Sequence, residues 1–238
     1  QTFMGTQALV HLTCTGLTKA KLVEILDELK AQGLRNILAL LGDPPKGRVD
    51  WTPVMDGCTC AADLVRLIRE HFGEWFCIGV AGFPEGRPKC RGDLIAVVMY
   101  LRDKIRAGAD FVLTQFFYDT SVFASFVQRC IASGITCPII PGMMPIQNES
   151  MFTRMTRLCG VSVPPEVRDN VARLKHDEVA LKEYGIRLCE SMCMDLIAAG
   201  TPGLHFYTLN LERSVTMVLK KLGLVENVAQ RRTMPWRG

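Results

Sequence analysis

Short aliphatic runs alternate along this chain with longer stretches whose apolar residues recur every three or four positions. The runs at residues 8–13, 36–41, 76–81, 110–116, 138–140 and 204–209 read as strands. Nearly continuous apolar character marks strands buried on both faces, as in a parallel sheet. Between them, 18–32 places Leu22, Ile25, Leu26 and Leu29 on one helical face, and Gly33 stops it. Residues 61–72 repeat the pattern with Leu64, Leu67, Ile68 and Phe72 before Gly73. Helices are also predicted over 93–107 and 121–133, with Gly108 and Gly134 following. The segment 149–200 reads as mostly helical with an interruption at Val163-Pro164-Pro165, and a last helix covers about 212–222.

Strands alternating with helices mean βαβ units around a parallel sheet. Six units fit a doubly wound sheet or part of a (β/α)8 barrel of the TIM type. No Gly-x-Gly-x-x-Gly follows any of the strands, which argues against a dinucleotide-binding half. A barrel has eight strands and typically about 250 residues. The 238 residues therefore read as an α/β barrel over 1–224 that lacks its first two strands, with 225–238 a linker. A first residue, Gln1, that is not methionine agrees with a fragment.

Composition narrows the classes. Apolar residues make up 48% and charged residues 22%, as in an ordinary globular protein. The net charge of +4 is mild and its basic residues are scattered, so neither nucleic acid nor a membrane surface is expected as a partner. Ten cysteines invite a disulfide or metal reading. Several lie in apolar patterns, no Cys-x-x-Cys occurs, and the four histidines have no metal-ligand spacing. Reduced structural thiols and no metal follow, which favours a reducing, cytoplasmic location.

The strand ends hold the candidate chemistry. The second strand stops at Gly42-Asp43-Pro44-Pro45, leaving one carboxylate at its C-terminal tip, the end where α/β folds place ligands. An ordinary turn containing Asp is the alternative. The other tips offer His11 and Thr13, Phe83, Thr114-Gln115-Phe116, Gly142 and His205-Phe206-Tyr207. Individually, His11 reads first as a satisfied core histidine, while Tyr207 reads equally as core packing and Gln115 as an internal hydrogen-bonding group. Jointly they supply amides, hydroxyls, a carboxylate and aromatic faces, a set suited to a flat heteroaromatic ligand.

Several blocks occur in an order that resembles the methylenetetrahydrofolate reductase family over nearly the whole chain. They are His11-Leu12-Thr13-Cys14, residues 36–44, Ala107-Gly108-Ala109-Asp110, Thr114-Gln115-Phe116-Phe117, residues 138–142 with Pro145-Ile146, and residues 204–210. Met234-Pro235-Trp236-Arg237 resembles the linker to a C-terminal regulatory domain in eukaryotic members. The resemblance implies reduction of FAD by NADH or NADPH, then hydride transfer to 5,10-methylenetetrahydrofolate, in one-carbon and methionine metabolism. Asp43 would be the catalytic carboxylate, tuning the flavin and bonding the pterin. His11, Thr13, Leu41, Gly42, Asp43, Cys60, Ala61, Phe83, Arg87 and Lys104 would hold the cofactor. Asp43, Gln115 and Tyr207 would hold the folate. The full-length protein is compatible with a homo-oligomer.

Departures from the family pattern fall on the flavin contacts. Leu41 stands for an arginine, Cys60 for a tyrosine, Phe83 for another tyrosine, and Arg87-Pro88-Lys89-Cys90 for His-Pro-Glu-Ala. Val97 aligns with an aspartate and Leu211 with an arginine. Losing a few hydrogen bonds, at about 1 kcal/mol each, weakens FAD binding by roughly tenfold or more. The family's proton-donating glutamate, on the first strand, has no equivalent in residues 1–238, so this polypeptide alone is expected to lack reductase activity. A non-catalytic barrel that serves as a binding or assembly module is the alternative.

Overall fold

The computed structural model describes residues 6–42, 54–86 and 93–225. Asp43, Arg87 and the predicted linker beyond residue 225 lie outside them. Strands β1 (Leu9–Thr13), β2 (Asn36–Leu40), β3 (Cys77–Gly82), β4 (Phe111–Phe116), β5 (Ile139–Met143) and β6 (His205–Phe206) form one sheet in sequential order. β1–β2, β2–β3 and β5–β6 pair in parallel. The helices are α1 (Lys19–Ala31), α2 (Ala61–Phe72), α3 (Leu94–Arg106), α4 (Thr120–Ala132), α5 (Glu149–Cys159), α6 (Pro165–Leu174), α7 (Glu178–Ala198) and α8 (Glu212–Lys221). This is the alternation and strand order of a TIM-type barrel, with six strands. The chain divides into two compact units: 1–82, 98–113 and 130–138, and then 83–97, 114–129 and 139–238.

In the first unit, register decides which side chains meet helices. Val10↔Ile37 and Leu12↔Ala39 share one face with Ile78 and Val80; Ile37, Ala39, Ile78 and Val80 are wholly buried. Leu22 and Leu26 of α1 and Leu64 and Ile68 of α2 are equally buried. Each such aliphatic residue contributes about 1.5–3 kcal/mol of burial. His11↔Leu38 and Thr13↔Leu40 lie on the opposite face. On that face Gly79 makes room for Phe111, whose ring a Cβ at Gly79 would strike at 2.5 Å.

Caps set the helix starts. Thr18 accepts from the Lys21 N–H at 3.3 Å. Asp63 accepts from the Thr59 N–H at 3.0 Å and the Thr59 hydroxyl at 2.6 Å, fixing the entry to α2. Arg69, on α2, donates to the carbonyls of Gly108, Gly73 and Phe76 and at 2.7 Å to Asp110, whose carboxylate also accepts from the Ile78 N–H.

The second unit packs α5, α6 and α7 around Phe116, Tyr118, Met144, Ile146, Phe152 and Leu181. Gly185 of α7 lies so close to the Ile146 carbonyl that any side chain would overlap it. Asn148 caps α5 by accepting from the Met151 N–H at 2.8 Å, and Gly160 ends it in the left-handed conformation at φ 65°.

Three boundaries differ from the sequence reading. β5 runs on through Pro141 and Gly142 to Met143. β6 is two residues long, not six, because Leu209 and Asn210 take left-handed backbone (φ 48° and 63°) and turn the chain. The helical stretch from 149 breaks twice. The predicted break at Pro164-Pro165 is there, and a second follows α6, where Asp177 accepts from the Ala180 N–H at 3.0 Å and starts α7.

Candidate functional site

The tips of β1 and β2 are joined beyond the formal strand ends. The Cys14 N–H donates to Leu40 O at 3.1 Å, and the Thr15 N–H and hydroxyl both donate to Leu41 O, at 2.9 and 2.6 Å. Gly42 follows at φ +91°, where a Cβ would stand 2.9 Å from Thr15 Oγ1 and 3.0 Å from Thr13 Cβ. Glycine is required there on both counts. His11 and Thr13 are exposed on the same face, and neither side chain bonds to another described residue, so the core-histidine alternative does not hold. Cys60 is exposed and Ala61 half-buried at the start of α2, and the Cys60 carbonyl lies 4.0 Å from Cys14 Sγ. Lys104 Nζ donates to the Ala81 carbonyl at the end of β3. His11, Thr13, Leu41, Gly42, Cys60 and Ala61 thus gather around two strand tips, with Lys104 at a third.

In the second unit the tip residues hold one another. The Thr114 side chain, fully buried, accepts from the Gly142 N–H at 2.9 Å, and its carbonyl accepts from the Tyr207 hydroxyl at 2.9 Å. Gly142 has no room for a Cβ, which would overlap the Thr114 carbonyl and approach the Tyr207 ring. Tyr207 stands edge-on to His205, with centroids 4.8 Å apart. Burial pushes the Tyr207 phenol up to about 12, keeping it a neutral donor.

Gln115 and Phe83 line one small cleft with Glu85, Gly86, Cys159 and Gly160. Gln115 Oε1 accepts from the Phe116 N–H at 3.1 Å, while its Nε2 bonds to no described residue. Glu85 closes this cleft on one side by accepting from the Ser162 N–H at 2.6 Å. Sequence reasoning missed Glu85. Its partner is 77 residues away, and no local pattern marks the pairing. Val97, aligned with a family aspartate, is buried in α3, and Leu211 is exposed with its carbonyl accepting from Gln147 Nε2 at 3.2 Å.

Among the described residues, no group of three His, Cys, Asp or Glu side chains is placed to hold a metal ion. No described helix is long and apolar enough to cross a membrane.

The family model of methylenetetrahydrofolate reductase matches residues 1–223. This chain belongs to the methylenetetrahydrofolate reductase family. Among curated methylenetetrahydrofolate reductases, a probable NADH-dependent one from Oryza sativa subsp. japonica is 42% identical over the whole chain. A probable NADPH-dependent one from Caenorhabditis elegans is 40% identical over 99% of it. The chain spans 41% of the rice protein's length and 35% of the worm protein's. The 5,10-methylenetetrahydrofolate reductase of Pectobacterium carotovorum is 34% identical over 95% of the chain and 73% of that protein. A solved structure from Clostridium thermocellum, described as an uncharacterized protein that binds two copies of 5-methyl-5,6,7,8-tetrahydrofolic acid, superposes with a TM-score of 0.59. At 12% identity over 91% of this chain and 73% of that one, the likeness is one of fold.

Proposed function

We propose that this chain forms the folate- and flavin-binding barrel of a methylenetetrahydrofolate reductase, which reduces 5,10-methylenetetrahydrofolate to 5-methyltetrahydrofolate with NADH or NADPH. Its similarity to the Pectobacterium reductase, over 95% of the chain and 73% of that protein, carries the reading. The residues around β1 and β2 fit a flavin. His11 and Thr13 are exposed polar groups with no partner among the described residues, and Gly42 leaves the backbone bare beside them. FAD, when bound, supplies hydride transfer from the nicotinamide to the folate.

The chain's own residues then bind and orient. The Gln115 Nε2 donors face ring acceptors of the pterin. Tyr207 has committed its hydroxyl to Thr114 O and offers the folate its ring. Glu85 keeps the wall of the Gln115 cleft in place through Ser162. Asp43, next in the chain after Gly42, is proposed from the family resemblance as the carboxylate that serves flavin and folate. The neutral Leu41, Cys60 and Phe83 make FAD binding weaker than in relatives with arginine and tyrosine there.

Gel filtration of the purified chain with FAD, and equilibrium dialysis against 5-methyltetrahydrofolate, test this reading. Retained yellow absorbance and saturable folate binding are expected. Gln115→Ala should weaken the folate roughly tenfold, the loss of about 1.4 kcal/mol. Absence of both ligands from the folded chain would overturn the reading.

A further inference from the structure

A buried pair of thiols stands beside the β1 tip. Cys14, one residue past β1, and Cys58, in the turn before α2, are each 1% exposed, and their side chains interact. Cys14 Sγ also lies 3.6 Å from Leu41 O and 4.0 Å from Cys60 O. A carbonyl oxygen only accepts, so these neighbours keep the proton on Cys14. The neighbouring Cys14 side chain holds the Cys58 thiol below its ordinary range, so Cys58 is the sulfur that loses its proton first.

The backbone holds the two segments side by side. Thr18 and Gly57 form an antiparallel bridge, and the Lys19 N–H donates to Asp56 O at 3.0 Å. Gly57 is wedged so that a Cβ would come within 2.9 Å of Leu17 O, which fixes the course of the turn just before Cys58. Met55, at the outside of the same turn, is 94% exposed, so the turn's outer side is open to solvent.

We propose that Cys14 and Cys58 are a redox dithiol that closes to an intramolecular disulfide under peroxide. The Cys58 thiolate attacks one peroxide oxygen and the O–O bond breaks. The departing hydroxide takes a proton to become water, and Cys58 is left as a sulfenic acid. Cys14 gives its proton to solvent and attacks the Cys58 sulfur, forming the S–S bond and releasing a second hydroxide, protonated to water. The two thiols together lose two electrons and two protons, and the peroxide becomes two waters. Closure ties the 54–60 turn to the β1 tip and removes the Cys14 S–H from Leu41 O, one residue before Gly42.

A second thiol pair serves as an internal comparison. Cys189 and Cys193 also interact and are buried, but both sit on α7. Their separation is set by one rigid helix, and closing a bond between them would distort it. They should stay reduced.

The test treats the reduced full chain with increasing hydrogen peroxide, alkylates the remaining thiols, and maps tryptic peptides. A linked pair of peptides carrying Cys14 and Cys58, lighter by two hydrogens and released by dithiothreitol, is expected. Cys58 and Cys60 share a tryptic peptide, so the map is repeated on Cys60→Ser, which should keep the link, and on Cys58→Ser, which should lose it. Should Cys58→Ser fail to fold, the wild-type and Cys60→Ser maps decide alone. A Cys58–Cys60 or Cys14–Cys60 link would overturn the proposal. So would full alkylation of Cys14 and Cys58 at a peroxide dose that oxidises Cys60, or a Cys189–Cys193 link formed first.

Discussion

The strand tips of the two units are built in opposite ways. Around β1 and β2, the polar side chains His11 and Thr13 stand exposed, and the order comes from backbone: Thr15 clasps Leu41 O, and Gly42 turns where no other residue fits. At β4, β5 and β6 the polar side chains themselves are the structure, with Thr114 receiving Gly142 and Tyr207 locked onto Thr114. The first region leaves its side chains free for a ligand. The second spends them on holding one another. Substitutions should therefore separate: those at Thr114, Gly142 and Tyr207 cost stability, and those at the His11 and Thr13 side chains cost binding.

The sharpest break in that contrast comes from the glycines. Gly142→Ala should cost about 3 kcal/mol or more, because its Cβ meets backbone that cannot yield, and urea unfolding will show it. Gly42→Ala meets the Thr15 and Thr13 side chains at positive φ and should cost about 1–3 kcal/mol by the same measurement. Equal losses would erase the distinction between the regions.

Tyr207→Phe sharpens it further. Removing the hydroxyl that serves Thr114 O should cost about 1 kcal/mol near neutral pH. In the fold the phenol is raised to about 12, above its unfolded value of about 10. The contribution of that shift is therefore complete below pH 10 and is lost as pH rises through 12. The phenylalanine variant should lose stability less steeply over that interval than the wild type, and parallel curves would show that Tyr207 does not titrate as described.

Smaller effects follow. Glu85→Ala should lower stability by roughly 1 kcal/mol and speed amide exchange at Ser162, whereas Glu85→Gln keeps an acceptor and should restore protection. His11→Ala should change stability by no more than about 0.5 kcal/mol, since its side chain is exposed and bonds to no described residue. If FAD binds, this substitution should still weaken it measurably by fluorescence titration.

Elements whose signals are local were legible in the sequence. The apolar spacing of Leu64, Leu67 and Ile68, with Gly73 behind it, placed α2 over its observed residues. Where the signal was ambiguous, reading failed. His205 to Leu209 alternates like a strand, but the left-handed turn at Leu209 and Asn210 ends β6 after two residues. Lys175-His176-Asp177 contains neither glycine nor proline, so the break before α7 is visible only through the Asp177 cap. At the site, Gln115 and Phe83 were named separately and prove to share a cleft. Glu85 and the Cys14–Cys58 contact depend on pairings 77 and 44 residues apart, which a linear pattern does not carry.

The Gln115 carboxamide has one further consequence. Because the Phe116 N–H must donate to an oxygen, the amide cannot be turned end for end without setting two N–H groups against each other. The group is thereby a one-way reader: it offers hydrogens to an incoming ring and asks it for lone pairs. An analogue that carries an N–H where the natural ligand carries a carbonyl or a bare ring nitrogen is refused by polarity, though its shape be identical.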